Sequence, residues 1–109
     1  MEAEKRKNIR VPRRLLVRFG PNGLSHLSFT ADISRTGLFI LTPNPYPPGQ
    51  GLSIDIRDEN KTINLTGFIV WSKKTPASSY LTLKGGMGIK ILDYQNEAYQ
   101  NLLTSEKPS

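Results

Sequence analysis

The chain has 109 residues, no cysteine and a formal net charge of +6. A chain of this length forms one domain with a modest core. The absence of cysteine excludes a disulfide framework and thiolate chemistry, and no apolar run approaches the roughly 18 residues of a membrane span, so membrane insertion is not expected. The charge lies at one end: residues 1–20 hold seven basic and two acidic residues, residues 21–109 eight basic and seven acidic. A cationic segment of this kind attracts phosphate, whether of nucleotide, nucleic acid or anionic lipid; a solubilising tail is the plain alternative. The opening residues 1–8, MEAEKRKN, carry no apolar h-region of a signal peptide, which makes the cytoplasm the default location.

Taken in order, residues 1–11 read as a flexible basic arm. Pro12 ends any helical reading and starts an extended segment. Leu15–Phe19 reads as a first strand, with Leu15, Val17 and Phe19 on one face, and Gly20-Pro21-Asn22-Gly23 is a turn signal. Leu24–Ile33 reads as a second strand. Leu27, Phe29, Ala31 and Ile33 alternate with His26, Ser28, Thr30 and Asp32, so a buried Ile33 places Asp32 and Ser34 on the opposite, accessible face. Leu38–Leu41 forms a third strand, and the stretch from Thr42 to Gly51, with four prolines, a stiff loop.

Leu52–Arg57 alternates cleanly as a fourth strand, followed by a polar turn over residues 58–61. Thr62–Lys73 is the longest strand, with Gly67 marking a bulge or a close approach. Tyr80–Leu83 and Met87–Leu92 read as two more strands. Asp93 or Asn96 then caps a helix whose face holds Tyr94, Ala98, Leu102 and Leu103. Short strands punctuated by turns and closed by one helix predict an all-β fold: a small six- or seven-stranded antiparallel β-barrel with a C-terminal α-helix. The barrel and helix occupy residues 12–104, and residues 105–109 form a tail.

Catalysis finds little support. His26 is the single histidine, and it lies on the polar side of a strand, where a surface role is the ordinary one. The carboxylates form no tight pair, and there is no HExxH, no P-loop and no metal-ligand spacing. An enzyme is not expected, nor a cofactor or metal.

A binding site is better supported. Asp32-Ile33-Ser34-Arg35-Thr36-Gly37 separates two β-rich runs. Asp and Ser fix turns through their short polar side chains, and Gly37 permits positive φ or a close backbone approach. Upstream, Arg6 and Arg10 stand four positions apart. Guanidinium groups grip phosphate bidentately and pair with a guanine edge. Asp32 is an acceptor suited to purine amino and imino donors. The turn and the arm together suit an anionic guanine nucleotide.

Arg-x-x-x-Arg followed by Asp-x-Ser-x-x-Gly at the end of a second strand resembles the PilZ domain. So do the long strand through Gly67-Phe68-Ile69-Val70-Trp71 and the closing run Gly86–Leu92. The resemblance covers roughly residues 5–104. It implies a β-barrel receptor for the second messenger cyclic di-GMP, in which Arg6 and Arg10 clamp phosphates and guanines, Asp32 and Ser34 hold a guanine edge, and Gly37 lets the backbone approach. Arg35 would add a phosphate contact. Lys5 would add a point charge where many members carry another arginine. Trp71 would flank the ligand, although a tryptophan ending an apolar strand is more often core.

The implied partners are cyclic di-GMP and a protein effector that the sequence does not name, with ligand-induced ordering of the arm altering the surface the effector meets. Two other readings use the same features: a nucleic-acid-binding small barrel, disfavoured because the aromatics are few and unclustered, and a protein-interaction adaptor that binds no nucleotide.

Overall fold

The computed structural model describes residues 9–74 and 85–104. Seven strands and one helix follow in chain order: β1 (Val11–Pro12), β2 (Leu16–Gly20), β3 (His26–Ile33), β4 (Gly37–Leu41), β5 (Gly51–Asp58), β6 (Lys61–Lys73), β7 (Gly86–Ile91) and α1 (Glu97–Thr104). All pairings are antiparallel. The order β3-β2-β5-β6-β7-β4 closes on itself through β3–β4, and β1 adds a short strand to β3. Closure pairs the backbone groups that an open sheet would leave at its edges. The described residues therefore form a six-stranded barrel with one extra strand. The strand expected at Tyr80–Leu83 lies outside the described residues.

Period-two alternation accounts for most of the interior. Leu52, Ile54 and Ile56 of β5 face Ile63 and Leu65 of β6, and all five are buried. Ile69, Met87, Ile89 and Ile91 continue the core, which Val17 and Phe19 of β2 and Leu38 and Ile40 of β4 complete. Each such side chain contributes roughly 1.5–3 kcal/mol on burial, and a barrel this small depends on most of them.

Two bulges break the alternation, and both matter for the site. In β3 the pairing with β4 slips between Thr30 and Asp32. Thr30 and Ile33, three apart, both point inward, while Leu27 is 63% exposed and Phe29 lies under the Arg14 guanidinium, 4.2 Å from its ring centre. The regular alternation expected for this strand thus fails. A bulge adds one unmatched residue and shifts the phase of the side chains beyond it. In β6 the slip falls between Ile69 and Trp71, opposite Ile89 and Gly88; Gly67 marks the close approach instead, a Cβ there standing 2.5 Å from Lys90 O.

Helix α1 starts as expected at a cap, and the cap is Asn96, whose Oδ1 accepts the Tyr99 N–H at 3.1 Å. Asp93 instead accepts the Thr66 N–H at 2.9 Å and so ties the helix approach to β6. The buried helix residues are Tyr99 and Leu102, with Tyr94, Ala98 and Leu103 packed beside them. The pattern of residues four apart found the right side of the helix but missed its largest buried side chain.

Candidate functional site

The segment joining β3 to β4 is held almost entirely through its carbonyl groups. Ser34 N–H donates to Gly37 O at 2.8 Å and its hydroxyl to the same oxygen at 3.3 Å, closing the turn. Tyr99 places its hydroxyl 2.6 Å from Ser34 O and 2.8 Å from Gly37 O. Gln100 Nε2 donates to Arg35 O at 3.0 Å, and Ile91 N–H to Thr36 O at 2.8 Å. Every carbonyl from Ser34 to Gly37 therefore has a donor in β7, α1 or the turn itself. Burial pushes the Tyr99 phenol well above the usual tyrosine range, Asp32 adds to the rise, and Arg10 opposes it. The phenol consequently stays a donor.

The arm reaches this turn through a second set of bonds. Val11 pairs with Ile33 and Pro12 with Asp32. Between β1 and β2 the ladder is completed by a buried side chain: the Thr30 hydroxyl accepts Leu15 N–H at 2.9 Å and donates to Arg13 O at 2.7 Å. This arrangement sets the register that brings Arg10 to Asp32. Arg10 Nε lies 3.3 Å from Asp32 Oδ1, with the two side chains 43% and 29% exposed. The contact is coulombic only. Asp32 Oδ1 is buried and accepts no hydrogen bond among the described residues, although a buried carboxylate oxygen ordinarily has a donor.

Arg10, Ser34, Thr36, Gly37, Val70, Ile89 and Lys90 line an open cavity of about 360 Å³. A larger one, about 450 Å³, lies among residues that include Asp55 and Asp93 and no cation. Coulomb's law sends an anion to the first.

The structure thus brings Arg10, Ser34 and Gly37 to the cavity wall, with Asp32 beside Arg10 but outside the lining. Ser34 departs from expectation in being buried, at 3% exposure, because the β3 bulge and the pull of Tyr99 fold the turn inward. Gly37 is required for a close approach: a Cβ there would stand 2.4 Å from Ile89 O of β7. Its φ is not positive. Arg35 is exposed and its side chain does not line the cavity.

Trp71 is not core. It is 45% exposed and stacks on Phe39, ring centres 5.1 Å apart, across Gly88, where a Cβ would lie 2.3 Å from the indole Nε1. The β6 bulge turns it outward, and its neighbour Val70 reaches the cavity instead. Lys5 and Arg6 lie outside the described residues. Val70 and Lys90 were missed in the sequence, since only the pairing of Lys90 with Gly37 sets it beside the turn.

A PilZ domain family model matches residues 4–105. The chain belongs to the PilZ domain family. The match to this PilZ domain spans the arm, the barrel and the helix. The solved structure of the Bacillus subtilis inhibitor of motility, MotI/DgrA, is similar, with a TM-score of 0.65 at 15% identity over 94% of this chain and 51% of that one. At that identity the likeness is one of fold, and this PilZ domain spans about half the length of that protein. No curated protein sequence matches it significantly. Among the described residues, no group of His, Cys, Asp or Glu is placed to hold a metal ion, and no helix is long and apolar enough to cross a membrane.

Proposed function

We propose that this PilZ domain is a non-enzymatic receptor for cyclic di-GMP that binds at the Arg10–Asp32 end of the barrel. The observation that carries the reading is Asp32 Oδ1, a buried acceptor with no hydrogen bond among the described residues, beside a guanidinium. Guanine offers donors at its imino and amino nitrogens and acceptors at O6 and N7, so an Asp–Arg pair can engage both kinds of group. Arg10 and Lys90 supply positive charge to the same cavity, where a cyclic dinucleotide brings two phosphates. Arg6 and Lys5 would add to this from the arm, and Arg35 and Trp71 from its margin. Ligand contacts would replace the Arg10–Asp32 contact, settle the arm on the turn and change the surface offered to a protein effector.

Calorimetric titration of the full chain with cyclic di-GMP tests the reading. Saturable binding, weakened by Asp32→Ala and by Arg10→Ala, is expected. No heat of binding and no amide shifts at Asp32–Gly37 under nucleotide excess would overturn it. Displacement of the nucleotide by mixed oligonucleotide with a steep salt dependence would favour a nucleic-acid partner instead.

A further inference from the structure

The two halves of the site meet a common element. Tyr99 reaches Ser34 O and Gly37 O, the carbonyls that bracket the turn, and its single hydroxyl hydrogen is shared between them at 2.6 and 2.8 Å. Gln100, the next residue, takes Arg35 O. One turn further along α1, Leu102 O accepts Arg13 Nη1 at 2.7 Å. Arg13 belongs to the segment between β1 and β2, and its own N–H donates to Ala31 O at 3.1 Å. It lies three residues after Arg10. Both the turn that carries Ser34 and the segment that carries Arg10 are thus referenced to the same eight-residue helix.

The helix itself is held firmly. Tyr99 and Leu102 are both buried in the barrel core, and close-packed interiors transmit displacement rather than absorb it. The phenol's raised pKa keeps the proton in place.

We propose that α1 is a third part of the nucleotide site, with Tyr99 as a positioning residue for the turn and Arg13 as its counterpart on the arm side. This rests on the cyclic di-GMP reading above. The turn holds its binding shape because Tyr99 fixes the distance between Ser34 O and Gly37 O. The arm meets that turn at a defined height because Arg13 is anchored to the end of the same helix. A shift at either half is felt by α1, which makes the helix the element able to report occupancy.

The test is titration of the full chain with cyclic di-GMP, paired with amide spectra of the free protein. Tyr99→Phe keeps the ring and removes only the hydroxyl. It should weaken binding about tenfold and move the Thr36 and Gly37 amide resonances before any ligand is added. Ile54→Val, a core truncation on β5 remote from the turn, should lower the thermal midpoint yet leave affinity within about twofold. Arg13→Gln and Arg14→Gln remove the same charge one residue apart. The first should weaken binding at least threefold more than the second, since Arg14 packs over Phe29 whereas Arg13 holds Leu102 O of α1. Should Tyr99→Phe not fold, Gln100→Ala, which removes only the hold on Arg35 O and Tyr94 O, is read the same way with a smaller loss. Unchanged affinity in Tyr99→Phe, an equal loss in Ile54→Val, or equal losses in the two arginine variants would overturn the positioning role while leaving the receptor reading standing. Absence of nucleotide binding by the unmodified chain would remove both.

Discussion

Arg10 Nε stands 3.3 Å from Asp32 Oδ1, yet that oxygen is buried and accepts no hydrogen bond among the described residues. The pair is held at the right distance for charge and the wrong geometry for a bond, and on the proposed reading the ligand engages both groups. A charge-assisted hydrogen bond contributes about 1.5–3 kcal/mol, so Arg10→Ala and Asp32→Ala should each weaken cyclic di-GMP binding roughly ten- to a hundred-fold. The double variant should lose less than the sum, because each partner also neutralises the other in the free protein. Calorimetric titration of the four proteins reads the cycle directly.

Lys90 is exposed and shares the cavity with Arg10. Its ammonium acts as a point charge, and an exposed pair is worth up to about 1 kcal/mol and is screened by salt. Lys90→Ala should weaken nucleotide binding by roughly two- to fivefold at low ionic strength, and the difference from the unmodified chain should shrink as salt is added. Equal affinities at low salt would place the phosphates elsewhere.

Thr30 replaces two missing ladder bonds with one buried hydroxyl. Thr30→Val keeps the shape and strands Leu15 N–H and Arg13 O, at a cost of about 1–3 kcal/mol. Thr30→Ser retains both bonds and should recover most of that stability. Urea unfolding checks this: the midpoint should fall for valine with little change in slope.

Two glycines separate a tolerable substitution from an intolerable one. At Gly88 an added Cβ meets the Trp71 ring, which can swing aside; at Gly37 it meets Ile89 O, which is backbone. Gly88→Ala should cost about 1 kcal/mol through loss of the Phe39–Trp71 stack and red-shift the emission of the single tryptophan. Gly37→Ala should unfold at a much lower denaturant concentration, or lose the β4–β7 pairing altogether, and bind no nucleotide.

Tyr99 also makes stability depend on alkaline pH. Its folded pKa lies above the ordinary value of 10.0, so between those values the unfolded chain has lost a proton that the folded one keeps. The contribution is intact below pH 10 and falls as pH rises above it, by up to about 1.4 kcal/mol per pH unit. Unfolding free energies measured from pH 8 to 11.5 should keep a constant difference between the unmodified chain and Tyr99→Phe up to about pH 10, above which the unmodified chain loses stability relative to the variant. Parallel curves would show that the phenol is not sealed from water.

The alternation in β5 and the apolar runs of β4 and β7 were readable in the chain because each is a local consequence of a pleated strand with one buried face. The arm's charge, the Asp32–Gly37 turn and the family resemblance were equally local. The bulges were not. Whether Ala31 or Val70 becomes the extra residue depends on what the neighbouring strand offers, and that choice buried Thr30 and Ser34 and turned Trp71 outward. Tyr99 lies 65 residues beyond Ser34 in the chain and Lys90 pairs with Gly37 only across β4–β7. By itself the sequence determined that a small barrel would carry a cationic arm and an Asp/Ser/Gly turn. Tertiary packing decided which of those residues meet, because strand register and the docking of α1 depend on contacts between segments that no local pattern encodes.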